Sequence, residues 1–557
     1  MYMHLHLIST FLSMSILSAT WFDEIPRILR QPDGEILECF ITGDQYIRRL
    51  HDINDYTIIH NIEDGFFYYA KKNSDGSLIP STIIAGRGNP QSIGLDPGYS
   101  LSKEDYIKKK QLYHRDELTR NDRDAPNTGE ISQLNVFVRF ADDPEFPDNR
   151  SVYSGIFETD HDEPSLNHYF SEISHDRLTI NTLHFPGSLD GSNASYVDSY
   201  ERSYYQPYSA ANSNGYQSQS DRFLREHSLV ANALNSISQS VPSSVDLDLD
   251  DNGFVDAVSI VVYGTQGAWA DLLWPHRTAL FNEEVYINGA QVYDYLFMLS
   301  ESWYYNVGVL CHEFGHVLGA PDYYHYSAGS GPTPVGYWDV MGSVRNPPQY
   351  PSAFTKWKYF KWIEPVEITS SGTYSLMPLK DEENSSFFIS SPFSEEEYFI
   401  FEYRNQEGMY DSNAPGTRSG LVAYRVNESA GNGNASGPPD ELYVYRPQGD
   451  INNTGNLNDA PYSDIYDHSE LNDYSDPSCF LYNGGGGGMG GLQLLDVSEP
   501  TDSISFTIIT GTAELELSQS SFDYALELGH FDVKTLTISN NGEPGSLLAY
   551  EVSKPDS

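Results

Sequence analysis

Apolar and polar residues alternate in short runs through the first third of the chain. PDGEILECFITGDQYIRRLHDINDYTIIHNIEDGFFYYAKKNSDGSLI, residues 32–79, reads as successive β-strands separated by Pro-Asp-Gly, Gly-Asp and Asp-Gly turns. Leu101–Asp124 breaks this texture: it is dense in charge and poor in core residues, as expected of a linker or an exposed helix. LNVFVRFAD, from Leu134, has a buried-strand pattern. Two helices follow by spacing. The first, near 165–174, places Leu166, Tyr169 and Ile173 on one face; the second, from Asp221, aligns Phe223, His227, Val230, Leu234 and Ile237. FVDAVSIVVYG, ending at Gly264, reads as another core strand. Alternating strands and helices predict an α/β or α+β domain.

Beyond Pro365 the period shortens again. GTYSLMPL, FFISS, EYFIFEYRN, GLVAYRVN, GLQLLDVS and SISFTIIT are strands between turn residues, the pattern of a β-sandwich-type domain. A last β-rich segment offers about four strands where a complete sandwich has about seven, which predicts an unfinished Ig-like module. The expected organisation is a multidomain chain: signal peptide 1–20, propeptide and linker 21–125, an α/β (α+β) domain 130–365, an all-β accessory domain 366–511 and the start of a β module 513–557.

The signal-peptide expectation rests on Leu5–Ala19, which is apolar, short for a membrane span and closed by small residues. It lacks a basic leader, since the first Arg is Arg27. Charge sharpens the picture. Among 557 residues, 79 Asp+Glu face 32 Lys+Arg, a formal net charge of -47. A surface this acidic excludes binding to nucleic-acid phosphates and to anionic membranes. It suits a secreted protein and leaves room for Ca²⁺ ligation. Three cysteines (Cys39, Cys311 and Cys479) are too few for a disulfide framework.

The chemistry is concentrated at VGVLCHEFGHVLGAPDYY, Val307–Tyr324. His312 and His316 stand at i and i+4, so a helix presents both imidazoles to one Zn²⁺. Glu313 lies beside them, where a carboxylate can reach a water at the metal. Gly319 and Pro321 end the helix and turn the chain back. Two residues could then complete a three-ligand site: Asp322, favoured by its spacing from the glycine, and His325, a better zinc donor by type. No Glu occurs from Val317 to Ile363. Tyr323, Tyr324 and His276 are candidate oxyanion donors. Cys39, in the presumed propeptide, could cap the metal. A second acidic motif, Asp248-Leu-Asp250-Asp251-Asn252-Gly253-Phe-Val-Asp256, resembles the first half of an EF-hand loop. Its twelfth position is Ser259, and it runs into a strand. Asp248, Asp250, Asn252 and Asp256 are its Ca²⁺ candidates.

HEFGHVLGAPDYY followed by VGYWDVMGS resembles the immune inhibitor A-like family of secreted bacterial zinc metalloproteases. LDLDDNGFVDAVSIVVYGTQG, LWPHR and EYFIFEYRNQEGMYDSN extend the likeness from about residue 25 to 510. The resemblance implies a metzincin-like peptidase domain, with Met341 as the Met-turn and His312, His316 and Asp322 as zinc ligands. It also implies Glu313 as acid/base, a zymogen, and protein or peptide substrates. His325 departs from the family pattern, where an acidic residue is usual. The competing expectation is a cell-surface binding protein whose zinc site is not catalytic. Cell-surface or matrix contact through the C-terminal β modules is compatible with either.

Overall fold

The computed structural model describes residues 22–99 and 124–511, apart from short internal breaks at 44–47, 62–63, 74–76, 160–162, 189–190, 266–271, 302–304, 327–330, 382–384 and 483–486. In the C-terminal segment it describes 514–522, 531, 533–542 and 548. The expected signal peptide, and the charged stretch up to Arg123, lie outside the described residues. The chain divides into two compact units. One comprises residues 1–362 with 407–414 and 432–440; the other comprises 363–406, 415–431 and 441–557. No helix among the described residues is long and apolar enough to cross a membrane.

The first unit opens with six antiparallel strands in sequence order: β1 (Phe22–Arg30), β2 (Ile36–Gly43), β3 (Arg48–His51), β4 (Thr57–His60), β5 (Phe67–Lys72) and β6 (Leu78–Ile84). The turn residues of 32–79 separate strands as expected. Cys39 is buried on β2.

A mixed sheet follows, built from β7 (Gly129–Arg139), β8 (Leu178–Phe185), β9 (Ala257–Val262), β10 (His276–Ala279) and β11 (Asp294–Leu299), in the order β10-β11-β9-β7-β8. All these pairs are parallel except β10 with β11. Every residue of β9 is buried, which explains its nearly apolar run: a parallel strand covered on both faces has no solvent side, and its one polar residue, Ser259, accepts from Gln133 Nε2. Helix α1 (Leu166–Ile173) buries the predicted Leu166, Tyr169 and Ile173. Helix α2 (Gln219–Ile237) starts at a Ser218 cap and packs Leu229, Val230, Leu234 and Ile237 against Leu134, Val136 and Val138 of β7 and Ile260 of β9. Each such side chain contributes about 1.5–3 kcal/mol on burial. Helix α3 (Val307–Val317) is buried along its whole length and packs against β10 and β11. The short α4 (Ala353–Lys358) follows.

The second unit holds two sheets. One is β12 (Val366–Glu367), β14 (Ser386–Ser390), β15 (Glu397–Arg404), β16 (Gly420–Asn427) and β17 (Leu442–Val444), in that order. The other joins β13 (Gly372–Leu376), β20 (Ile504–Ile508), β19 (Gln493–Leu495) and β18 (Leu471–Asn472). Phe399, Phe401 and Leu421 share one core with Leu376, Leu494 and Phe506, so the two sheets form a sandwich. A separate hairpin, β21 (Leu515–Leu517) with β22 (Ile538–Asn540), ends the described chain.

Candidate metal centre

Helix α3 is fixed at both ends by its own sequence. The Asn306 side chain accepts from Val309 N at 3.0 Å, capping the start. At the other end Gly319 takes φ +92°, the left-handed conformation that favours glycine. Gly319 N bonds His316 O at 3.1 Å and Ala320 N bonds Gly315 O at 3.0 Å, the paired bonds of a Schellman stop. The chain then reverses and brings Asp322 back to the helix.

His312, His316 and Asp322 converge. Asp322 Oδ1 lies 3.2 Å from His312 Nε2 and 3.3 Å from His316 Nε2. The two rings stand nearly perpendicular, with centroids 4.8 Å apart. Their other nitrogens are committed: His312 Nδ1 meets Val340 O at 2.8 Å and His316 Nδ1 meets Ala320 O at 2.7 Å. A carbonyl oxygen only accepts, so each Nδ1 must carry a proton. In the neutral imidazole the Nε2 atoms are then lone pairs, aimed at a carboxylate oxygen that is also a lone pair. Such an array is repulsive unless a proton or a cation lies between. Three ligands about 2.0–2.1 Å from a tetrahedral metal stand about 3.3 Å apart, and the observed separations fit zinc.

Glu313 is fully buried, and neither of its carboxylate oxygens has a hydrogen-bond partner among the described residues. Burial raises its pKa above the ordinary value, against the pull of His312 and His316. Burial would raise Asp322 too, but His316 and His312 beside it hold it well below the carboxylate range. Burial disfavours the charged form of His312, yet the Asp322 carboxylate more than offsets this and raises its pKa.

The competing third donor, His325, is turned elsewhere: its Nε2 pairs with the Asp440 carboxylate, and both side chains are buried. Of the oxyanion candidates, His276 has both ring nitrogens committed. His276 meets Trp274 O through Nδ1 at 2.6 Å and the Glu226 carboxylate through Nε2 at 2.8 Å. The Tyr323 hydroxyl lies 3.4 Å from Thr355 Oγ1. Tyr324 is buried, its ring 5.0 Å from that of Tyr326. Cys39 is not in the convergent group, and Cys311 is a buried thiol whose pKa burial raises.

Met341 is fully buried under α3, where a Cβ on Gly315 would stand 2.6 Å from its sulfur. Residues 252–351 match the family model described as the immune inhibitor A peptidase M6 catalytic domain. Over that segment the chain is similar to the catalytic domain of the immune inhibitor A-like family. The match supports a metallopeptidase, an enzyme class whose substrates are proteins or peptides. No curated protein matches the chain in a sequence search. Within this peptidase, the turn that carries Met341 binds both ligand-bearing elements. Val340 O holds His312, Met341 O accepts from Tyr323 N at 2.8 Å, and Asp339 anchors the turn by accepting from Met341 N at 2.8 Å.

Several contributors had no sequence signal. Tyr326 donates its hydroxyl to Asp322 Oδ2, fixing the oxygen that does not face the histidines. Val340 O and Ala320 O act through the backbone, which side-chain motifs do not report.

The acidic motif forms a compact loop. Ligand atoms of Asp248, Asp250 and Asp256 lie within 4.8 Å of one another. Asp248 accepts from Asn252 N and Gly253 N, both at 2.8 Å, and Asp250 Oδ2 accepts from Asn252 Nδ2 at 3.1 Å. Asp256 Oδ2 accepts from Leu249 N at 3.0 Å, while its buried Oδ1 has no partner among the described residues.

Proposed function

We propose that the chain is a secreted zinc-dependent endopeptidase made as a zymogen, with a metzincin-like catalytic domain in which Met341 forms the Met-turn. The observation that carries this reading is the convergence of His312 and His316 on Asp322, with both Nδ1 atoms tied to carbonyls, beside the bare buried carboxylate of Glu313. His312, His316 and Asp322 would hold the metal. Zinc, when bound there, supplies Lewis-acid polarisation of the scissile carbonyl and makes a nearby water more acidic. Glu313 accepts the proton of the attacking water and delivers it to the leaving amine. Tyr326 and the Val340 and Ala320 carbonyls keep the three ligands oriented while this happens.

A non-catalytic zinc site is the weaker reading. A purely structural site gains nothing from an adjacent buried carboxylate, whose desolvation is unfavourable. Secretion is supported by the apolar Leu5–Ala19 stretch and the acidic composition, and the zymogen form by the strand-rich segment ahead of residue 125. The Asp248–Asp256 loop is proposed as a Ca²⁺ site, supported by the unpartnered Asp256 Oδ1.

The test is hydrolysis of casein by protein freed of residues up to about 123 by limited proteolysis, an upper bound set by the α/β sheet beginning at Gly129. Hydrolysis should stop with a zinc chelator and return on adding Zn²⁺. Activity indifferent to chelation would refute the zinc reading.

A further inference from the structure

We propose that Asn432–Asp440 is a positioning clamp on the loop that carries Asp322, so that metal affinity depends on residues far downstream of α3. The proposal rests on the zinc reading above and extends it to how the third ligand is held.

In the chain these residues lie between β16 and β17, strands of the accessory sandwich, yet they belong to the peptidase unit. They grip the third-ligand loop at four successive places. Asn434 N donates to Asp322 O at 2.8 Å. Asn434 Nδ2 donates to Tyr323 O at 3.1 Å, across a sequence separation of 111 residues. The Asp440 carboxylate takes the Nε2 of His325. Ala435 O accepts from Tyr326 N at 3.2 Å. Tyr326 in turn donates to the Asp322 carboxylate. Fit is tight at Gly433, with φ +74°: a Cβ there would run into the Asp322 carbonyl and stand 2.8 Å from Pro321 Cβ.

The ligand loop forms neither helix nor strand, so its backbone groups need partners from elsewhere. On one side they are His316 Nδ1, which meets Ala320 O, and Met341 O, which accepts from Tyr323 N. On the other side they are the clamp. A metal ligand must be held within about 0.5 Å of its productive place, and partners of the ligands set affinity by about 10–100-fold. Asp322 reaches the histidines from an irregular loop, so displacement of its backbone moves the ligand directly.

The experiment uses the full chain, with Gly433→Ala and Asn434→Ala compared with wild type and Asp322→Ala. Zn²⁺ affinity is measured by competition with a chromophoric chelator, the visible spectrum is recorded with Co²⁺ in place of zinc, and melting is followed in excess chelator. Gly433→Ala should bind Zn²⁺ about 10–100-fold more weakly and shift the Co²⁺ bands, alongside the lowered metal-free melting that its strained φ causes. Asn434→Ala keeps its backbone donor and should show a smaller change in the same direction; it decides the matter if Gly433→Ala does not fold. Zn²⁺ affinity within twofold of wild type and an unchanged Co²⁺ spectrum in the folded variants would overturn the clamp. Lowered metal-free melting without a change in affinity would mark a structural staple and also overturn it. Wild type that binds no zinc, or Asp322→Ala that binds it as well as wild type, would instead sink the zinc reading and the clamp with it.

Discussion

Two clusters of acidic and imidazole side chains meet the geometric requirement for a metal, and they meet it differently. At His312, His316 and Asp322 the ligand atoms are buried and face one another, while their other polar atoms are occupied by Val340 O, Ala320 O and Tyr326. In the Asp248–Asp256 loop most carboxylate oxygens already accept bonds from the loop's own backbone and from Asn252. The first array is unfavourable without a cation or extra protons. The second persists as a set of Asx turns and leaves the buried Asp256 Oδ1 without a partner among the described residues. Proximity of acids is therefore weak evidence for a metal, and the commitment of the remaining atoms is what separates the two sites.

The comparison can be broken most sharply at the first site. His312→Ala or His316→Ala removes one of three ligands, and proteolysis should fall at least about a thousandfold, the scale of the several kcal/mol that metal polarisation contributes. Loss of bound zinc in the same samples, read by mass spectrometry, checks the cause. A milder change sharpens the contrast. Tyr326→Phe removes the donor on Asp322 Oδ2 and should weaken zinc about tenfold with the fold intact. Unchanged affinity would mean the second oxygen needs no support.

At the acidic loop the expected effect is on stability. Added Ca²⁺ should raise the melting temperature of wild type, and Asp250→Ala should remove that rise. A wild type indifferent to Ca²⁺ would reduce this loop to an acidic turn.

The smallest effect concerns pH. Burial lowers His184 of the peptidase unit and His468 of the sandwich unit, each to about 4. Both are depressed relative to the unfolded chain, which takes up the proton first as pH falls. Their contribution is present above about 6.5 and is lost as pH drops toward 4. His184→Gln and His468→Gln should each flatten the acid side of the stability profile, measured by thermal melts from pH 7 to 4. Profiles unchanged in both variants would contradict the assignment.

Much of this was legible in the sequence for a physical reason. The helix that carries His312, Glu313 and His316 announces itself through i, i+4 spacing and its Gly319-Ala-Pro321 stop, which are local features. β9 was readable because a strand buried on both faces is apolar along nearly its whole length. The α2 face was readable because Val230, Leu234 and Ile237 repeat with the helical turn. Asp322 is reachable only by spacing, and that the His325 Nε2 meets Asp440, 115 residues away, has no signal in the sequence. Asn434 and Gly433 were invisible, since they act through backbone groups across a separation that no periodicity spans. His276 looks available as an oxyanion donor because a sequence does not show that Trp274 O and Glu226 meet its ring nitrogens.

The central claim is that Glu313 is the proton carrier at a zinc site formed by the other three residues. Its most direct test is the Glu313→Ala protein, assayed for bound zinc and for casein hydrolysis in one preparation. The account predicts one zinc per chain, as in wild type, with hydrolysis reduced at least about 10²–10⁴-fold, the range general-base catalysis contributes. Zinc retained together with hydrolysis near the wild-type rate would contradict it.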